Sequence, residues 1–250
     1  MFIDTHCHIH EAQFFDKEQA EVVARNALEN DVTKLLCVGT NQLSSREALE
    51  FSDRFAFCYA IVGVHPHDAK DGASYIEQVL KDRHKKVVGI GEIGLDYYYT
   101  NSPKETQRQI FEQQLQWAVD YNMPVSFHVR EAFDDFWQIF HNFPGVKGVL
   151  HSFTDSMENM QKGISEGLYI GVNGISTFAR DKQEMWDAIP LERMVLETDA
   201  PFLTPVPHRG KVNEPAFVRN VAEYHANRRG VELEHLARVT SANASTLFSL

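Results

Sequence analysis

The chain has 250 residues, of which 43% are hydrophobic and 24% are charged. This composition excludes a disordered chain, a collagen-like repeat and a coiled coil, and no apolar run reaches the roughly 18 residues of a membrane helix. The net charge of −11 disfavours tight, sequence-independent binding to nucleic acid, but it permits a phosphate substrate held by metals and a few local cations.

The cysteines and the N-terminal residues indicate in which cellular compartment the protein is expected. Three cysteines are present, an odd number set among apolar residues, which argues against a disulfide framework or a cysteine-only zinc site. The N-terminal residues lack the basic and apolar stretches of a signal peptide, so we expect a cytoplasmic protein. Nothing marks a surface for self-association, so we expect a monomer.

Short β-branched runs alternate with helical patterns along the whole chain. Eight runs are candidate strands, and most are nearly continuous in Val, Ile, Leu and Gly, as parallel strands covered on both faces should be. One unit per about 31 residues is the size of a βα repeat. The runs are Phe2–Thr5, Lys34–Gly39, Phe57–Val64, Val87–Gly91, Pro124–Phe127, Val146–Leu150, Leu168–Val172 and Met194–Glu197.

No glycine-rich phosphate loop follows any of these runs, and no linker divides the chain. The sequence therefore predicts an α/β fold, a (β/α)₈ TIM barrel that occupies residues 1–250 as one domain. The segment Ser102-Pro103-Lys104-Glu105 has the pattern of a helix start, with Ser102 as the capping residue of a capping box.

Histidines and carboxylates recur where the predicted strands end. In a barrel these ends meet at one mouth, where such enzymes place their active sites. Each signal alone is weak, because an isolated His-x-His pair, a core histidine or an aspartate at a helix start is common. Their joint position at strand ends predicts a metal centre. The residues are His6, His8, His65, Glu92, His128, His151 and Asp199.

Four imidazoles and two carboxylates exceed the three protein ligands of a catalytic zinc ion, and they suit two divalent ions about 3.5–4 Å apart. The ligand types fit Zn²⁺ or Mn²⁺, and Mg²⁺ if water completes its shell. Cys7, between two ligands, should point away and pack, and His10 and His67 should lie outside the ligand set. We assign one ion to His6, His8 and Asp199 and the other to His128 and His151, with Glu92 bridging both.

The strand-end motifs resemble those of the TatD metal-dependent deoxyribonucleases of the amidohydrolase superfamily, in the right order along essentially the whole chain. The resemblance implies a distorted TIM barrel, a divalent-metal centre on the six residues above and phosphodiester hydrolysis in DNA. The motifs are Ile3-Asp4-Thr5-His6-Cys7-His8, Gly63-Val64-His65-Pro66, Gly91-Glu92-Ile93-Gly94-Leu95-Asp96, His128-Val129-Arg130, His151-Ser152-Phe153 and Glu197-Thr198-Asp199-Ala200-Pro201.

The expected reaction is attack of a metal-activated water on a phosphodiester, with Asp199 as base and Glu92 fixing the metal spacing. His65 would contact the phosphate or protonate the leaving oxygen, or would be structural. Arg130 would bind a phosphate or form a salt bridge inside the mouth. Arg209, with Arg180 and Lys211, would make the mouth locally cationic.

The shape of the predicted mouth bears on the substrate. A pocket at the bottom of a barrel mouth admits a strand end more readily than a continuous duplex, so we expect a 3′–5′ exonuclease acting on single-stranded DNA. Tyr97, Tyr98 and Tyr99 would stack on unpaired bases or pack on their own barrel. The alternative functions are a metal-dependent hydrolase of an ester or amide, including the ester of aminoacyl-tRNA, and a scaffold protein with structural metals.

Overall fold

The computed structural model describes residues 1–250 and contains eight parallel strands, hydrogen-bonded to one another in chain order. This confirms the predicted (β/α)₈ barrel. The strands are β1 (Phe2–Cys7), β2 (Val32–Val38), β3 (Cys58–Val62), β4 (Val87–Asp96), β5 (Val125–Arg130), β6 (Gly148–Leu150), β7 (Tyr169–Val172) and β8 (Met194–Leu196).

Nine α-helices lie outside the strands, and none is both long and apolar enough to cross a membrane. Asp16 and Asn41 each begin a helix with a capping box, in which a side-chain oxygen accepts backbone N–H groups of the first turn. The helices are α1 (Lys17–Glu29), α2 (Gln42–Arg54), α3 (Ser74–Asp82), α4 (Lys104–Tyr121), α5 (Phe133–Phe140), α6 (Met157–Ser165), α7 (Gln183–Asp187), α8 (Val218–Arg229) and α9 (Leu233–Phe248).

The predicted cap of α4 is wrong. The helix begins at Lys104 and has no side-chain cap. Ser102 is buried, and its hydroxyl donates to the carbonyl of His67 while accepting the N–H of Lys70. A tertiary contact to the short 3₁₀ helix Pro66–Asp71 therefore replaces the local cap, because the hydroxyl oxygen accepts the N–H of Lys70 instead of an N–H in the first turn of α4.

The barrel closes between β1 and β8 at a seam just beyond the end of β8. Cys7 and Ala200 form an isolated parallel bridge. The N–H of His8 donates to the carbonyl of Ala200 over 2.7 Å, and the N–H of Asp199 donates to the carbonyl of His6 over 2.9 Å. The residues that close the barrel are thus the predicted metal ligands or their neighbours.

The amino-terminal end of the barrel is filled with apolar side chains and covered by the end of α9. Phe248 is 2% exposed and packs against the interior of the sheet. Tight packing of this kind contributes to stability and leaves the other end of the barrel free for chemistry. The cluster consists of Ile3, Leu36, Val38, Ile61, Val149, Val195, Ala244, Leu247 and Phe248.

Candidate metal centre

The structure brings the six predicted metal ligands and His65, which was also a predicted site residue, to the carboxyl-terminal mouth of the barrel. The shared signal is their position at or just beyond strand ends, where side chains of neighbouring strands converge. Their ligand atoms fall into three overlapping groups, each with its atoms within 4.8 Å of one another. The groups are His6 with His151 and Asp199, His6 with His8 and Glu92, and His65 with Glu92 and His128.

One half of the cluster surrounds Asp199. Its Oδ1 lies 3.3 Å from Nε2 of His8, 3.8 Å from Nε2 of His6 and 3.6 Å from Nε2 of His151. Burial raises the pKa of Asp199, but the hydrogen bond from His8 and the nearby imidazoles outweigh burial and hold that pKa below its usual value. All three imidazole contacts go to Oδ1, which leaves Oδ2 without a protein partner.

Glu92 connects the two halves of the cluster. Its Oε2 faces Nε2 of His6 at 3.4 Å, whereas its Oε1 faces Nδ1 of His128 at 2.8 Å and Nε2 of His151 at 3.9 Å. Burial raises the pKa of this carboxyl, but the surrounding histidines outweigh burial and lower it well below its usual range. A carboxylate whose two oxygens face different ligand groups is suited to bridge two ions.

Each of the four predicted imidazole ligands is oriented by a partner on its outer side. Nδ1 of His8 lies 2.8 Å from the carbonyl of Val38, and Nδ1 of His6 lies 3.2 Å from the hydroxyl of Ser126. In both rings Nε2 then faces the cluster. Metal-binding histidines are usually held in this way, because the outer hydrogen bond fixes the tautomer and the direction in which the free electron pair of the other ring nitrogen points.

The spacing of these nitrogens also fits a shared ion. Nε2 of His6 and Nε2 of His8 lie 3.2 Å apart. Two nitrogens bound to one ion at 2.0–2.1 Å with near-tetrahedral angles are themselves about 3.3 Å apart. The donor set of imidazole and carboxylate is that of Zn²⁺ or Mn²⁺ sites, so the residues present fit the predicted metals.

Asp96 is a site residue that the sequence reasoning missed. It is fully buried, and its Oδ2 lies 3.0 Å from both Nε2 of His128 and Nε2 of His67. Burial lowers the pKa of His128, but its hydrogen bonds to Asp96 and Glu92 outweigh burial and raise that pKa to about 9. Because β4 runs on to Asp96 rather than ending at Gly91, Asp96 belongs to the strand that carries Glu92.

Glu197 is the second missed residue. Its Oε1 lies 2.9 Å from Nδ1 of His151 and accepts the N–H of Ser152 over 2.6 Å. Burial lowers the pKa of His151, but the negative charge of Glu197 outweighs burial and raises it to about 9. Gly171 makes room for this carboxylate, since a Cβ there would lie 2.6 Å from Oε2 of Glu197.

His65 differs from the four predicted imidazole ligands. Its Nδ1 accepts the backbone N–H of His67 over 3.1 Å, so the proton of the neutral ring is on Nε2. That nitrogen faces the cluster, 3.7 Å from Oε1 of Glu92. In this tautomer His65 presents a hydrogen-bond donor to the mouth rather than a free electron pair for a metal.

The two predicted phosphate-binding arginines are exposed. Arg130 is exposed and forms no salt bridge, so the predicted alternative of an ion pair inside the mouth is wrong; its guanidinium stacks 3.9 Å from the ring centre of Tyr98. Arg209 donates to the carbonyl of Thr204 and stacks on Phe178. No hydrogen bond or ion pair joins either arginine to the cluster.

The three other residues that the sequence singled out lie outside the ligand groups, as predicted. Cys7 is buried, and its thiol lies 3.5 Å from the carbonyl of Leu36. His67 contacts Asp96. His10 is buried without a hydrogen-bond partner.

Comparison with known protein families identifies the family of this chain. The model of the family described as TatD related DNase matches residues 3–249. The chain belongs to the TatD family. Among curated relatives, it is 37% identical to the uncharacterized metal-dependent hydrolase YabD of Bacillus subtilis, with full coverage of both chains. It is 36% identical to the 3′-5′ ssDNA/RNA exonuclease TatD of Escherichia coli, over 94% of this chain and 95% of that protein.

Solved structures agree with the membership in the TatD family. The chain resembles YJJV, a TatD homologue from Escherichia coli, with a TM-score of 0.91 and 28% identity over 100% of this chain and 98% of that one. A phosphotriesterase homology protein from Escherichia coli, complexed with phosphate in its active site, shares the fold at a TM-score of 0.71 and 14% identity over 99% and 98% of the two chains.

Proposed function

We propose that this metal-dependent hydrolase of the TatD family cleaves phosphodiester bonds at the 3′ end of single-stranded DNA. The observation that carries the proposal is the arrangement around Glu92, whose two oxygens face two sets of ligands. Two adjacent cations are suited to in-line displacement at phosphorus. The relatives that are named 3′-5′ ssDNA/RNA exonucleases support the same substrate class.

The metals would be held by the six predicted ligands, with His6, His8 and Asp199 on one ion, His128 and His151 on the other, and Glu92 between them. When bound, the ions lower the pKa of a water and offset the negative charge on the phosphate oxygens. The list of ligands stays a prediction for this chain. The geometry of the cluster supports the six residues as a set, but it groups His151 with His6 and Asp199 rather than with His128.

Asp199 is the base in this proposal. Its Oδ1 receives the three imidazole contacts, and Oδ2 is free for the proton of the attacking water. The side chain is 14% exposed, so it can reach a water at the mouth. The oxygen of the water bonds to phosphorus, the bond from phosphorus to the 3′ oxygen of the preceding nucleotide breaks, and one proton of the water goes to Asp199. The leaving 3′ oxygen stays on the shortened strand and takes up a proton from solvent.

His65 is the donor to the leaving oxygen. Its Nε2 carries a proton because Nδ1 accepts the N–H of His67, and Nε2 faces the cluster. A donor in this position stabilises the oxygen as the ester bond breaks. Arg130 and Arg209 are the cations that we assign to phosphates outside the cluster, where an exposed guanidinium can bind two phosphate oxygens.

The experiment uses protein stripped of metal and reloaded with Mg²⁺, Mn²⁺ or Zn²⁺, and single-stranded DNA labelled at either end. We expect stepwise shortening from the 3′ end that requires metal and is lost in Asp199→Asn. Asp120→Asn, the same chemical change at an exposed position of α4, is the matched control and should be fully active.

Three outcomes would contradict parts of the proposal. Efficient nicking of circular single-stranded DNA would exclude an obligatory 3′ end. Equal cleavage of an RNA strand would remove the preference for DNA. Turnover of ester substrates without cleavage of any nucleic acid would move the function to the alternative class of ester hydrolases.

A further inference from the structure

Two exposed aromatic surfaces flank the candidate metal centre. The first, the phenylalanine pair, consists of Phe14 and Phe202, which are 38% and 45% exposed. The second, the tyrosine–arginine surface, consists of Tyr98, Tyr99 and Arg130, and its two tyrosines are 52% and 45% exposed. Large exposed aromatic groups beside a buried polar site indicate a binding surface.

The phenylalanine pair is attached to the Asp199 side of the cluster. The two rings meet edge to face with centres 5.0 Å apart, and the ring of Phe202 lies 6.3 Å from that of His8. The backbone N–H of Phe202 donates to the carbonyl of Asp199 over 2.8 Å. This hydrogen bond holds Phe202 close to Asp199, the proposed catalytic base. Neither phenylalanine carries a charge.

The tyrosine–arginine surface is attached to the His128 side. The backbone N–H groups of Tyr98 and Tyr99 both donate to Oδ1 of Asp96 over 3.0 Å, and Oδ2 of the same carboxylate holds His128. The guanidinium of Arg130 lies 3.9 Å from the centre of the Tyr98 ring and 5.0 Å from that of Tyr99. Its edge stays open to a phosphate, because stacking uses only the face of the guanidinium.

Tyr97 does not belong to this surface. Its hydroxyl donates to Asp135 over 2.6 Å, and Lys104 lies over its ring. For this tyrosine the predicted packing on the barrel is confirmed, whereas the next two rings face solvent.

The two surfaces lie on opposite sides of the mouth. The phenylalanine pair follows the ends of β1 and β8, and the tyrosine–arginine surface follows the ends of β4 and β5. In an eight-stranded barrel with strands in chain order, these two pairs of strands are diametrically opposed. The cluster that contains Glu92 lies between them, so a strand that binds both surfaces must cross the cluster.

We propose that the phenylalanine pair stacks on the base of the nucleotide being released, and that the tyrosine–arginine surface stacks on the base of the preceding nucleotide. This inference rests on the proposed exonuclease function. The assignment follows from charge. The terminal nucleotide shares only the scissile phosphate, which faces the cluster, whereas the preceding nucleotide carries a further phosphate that needs a cation. Arg130, which stacks on Tyr98, supplies this cation. No cation stacks on the phenylalanine pair, because Arg209 of the neighbouring loop stacks on Phe178 instead.

Stacking on both sides of the scissile bond also accounts for a single-stranded substrate. Each base must offer a free face and be splayed from its neighbour, which a paired duplex does not allow without melting. Stacking tolerates all four bases because each has an aromatic face. We therefore expect the rate of cleavage to depend on whether a terminal base is present and not on which base it is.

The test compares oligothymidylates that have a normal 3′ end, an abasic residue at the 3′ terminus or an abasic residue one position before it. For the native protein we expect kcat/KM to fall roughly 10-fold with either abasic residue, the usual size of a lost base–aromatic stack. In Phe202→Ala the terminal abasic residue should cause no further loss while the penultimate one still does. In Tyr98→Ala the pattern should be reversed.

Phe202→Trp is the matched control, since it keeps an aromatic face and should restore the sensitivity to the terminal base. If the native protein cleaves all three strands equally, the stacking inference is wrong and the exonuclease function stands. If it cleaves none of them in any metal, the proposed function itself is wrong. If Phe202→Ala becomes insensitive to the penultimate base instead, the direction of the strand is opposite to the one inferred.

Discussion

The two ends of the barrel are built from the same eight strands but carry opposite chemistry. At the amino-terminal end, Ile3, Leu36 and Phe248 belong to a closed apolar cluster. At the other end, His6 and Asp199 lie in a cluster of imidazoles and carboxylates. The difference is one of position along each strand, and it separates the residues that hold the fold from those that hold the site.

Positive φ angles in residues other than glycine occur at both ends of the barrel. Asp31, Arg83 and Asn122 adopt them in the segments that lead into β2, β4 and β5. Asp199, Ser152 and Glu131, which follow β8, β6 and β5, all have positive φ angles of 60°, 47° and 52°. Such angles cost energy in residues other than glycine and are concentrated at functional sites. The ends differ in their side chains, because only the mouth gathers imidazoles and carboxylates that could hold a metal. The mouth is therefore expected to depend on bound metal for part of its stability, whereas the apolar end is expected to be independent of it.

The largest expected effect comes from Glu92→Gln. Loss of the shared negative charge should lower kcat on single-stranded DNA by about 1,000-fold, a typical cost of removing a group that stabilises transition-state charge. Metal analysis should show fewer than the two ions per chain predicted for the native protein. A variant that keeps two ions and full activity would exclude Glu92 as the bridge.

Phe248→Ala tests the other end. Removing this buried ring should lower the free energy of unfolding by about 3–5 kcal/mol, as for other large-to-small core changes, measured by urea denaturation. Metal content and activity per folded molecule should stay at the native level. A loss of metal in this variant would show that the two ends are coupled.

Metal addition measures that coupling directly. At a metal concentration 100 times the dissociation constant, the free energy of unfolding should rise by about 2.7 kcal/mol. Phe248→Ala should gain the same increment as the native protein, because distant sites are additive. A different increment would contradict the separation of the ends.

A smaller effect is expected from His225, which is buried on α8 outside the ligand groups and hydrogen-bonded to Ser176. Burial, together with the charge of Arg229, lowers its pKa from 6.5 to about 3. The unfolded chain therefore binds the extra proton first as pH falls, so stability is lost from about pH 6.5 downward. The loss should reach about 2 kcal/mol at pH 5. His225→Gln should show a correspondingly flatter pH dependence, and an unchanged slope would assign the acid sensitivity to other groups.

The order of the elements and the central residues of the site could be predicted from the sequence, because the spacing of apolar residues and the ends of strands are local signals. Apolar runs mark the strands, and a histidine or carboxylate directly after a run marks the mouth. The outer partners were missed for a different reason. Asp96 lies beyond the predicted end at Gly91, where the continuous apolar pattern stops but the pairing with β5 continues through Asp96 and Arg130.

The other features that the sequence did not predict depend on contacts between distant segments. Ser102 has the local pattern of a cap but bonds to His67 and Lys70. Phe14 and Phe202 are far apart in the chain, and nothing in the local sequence indicates that their rings meet. Such pairs depend on the closed barrel, which brings the ends of β1 and β8 together.

The seam between β1 and β8 has a consequence for the motions of the barrel. It joins residues more than 190 positions apart in the chain, and its hydrogen bonds from the N–H groups of His8 and Asp199 belong to residues that we assign to one ion. Separating the first strand from the last would break the bonds between that ion and its ligands. Bound metal is therefore expected to stabilise the closed barrel, and the amide protons of His8 and Asp199 should exchange with solvent more slowly when metal is bound.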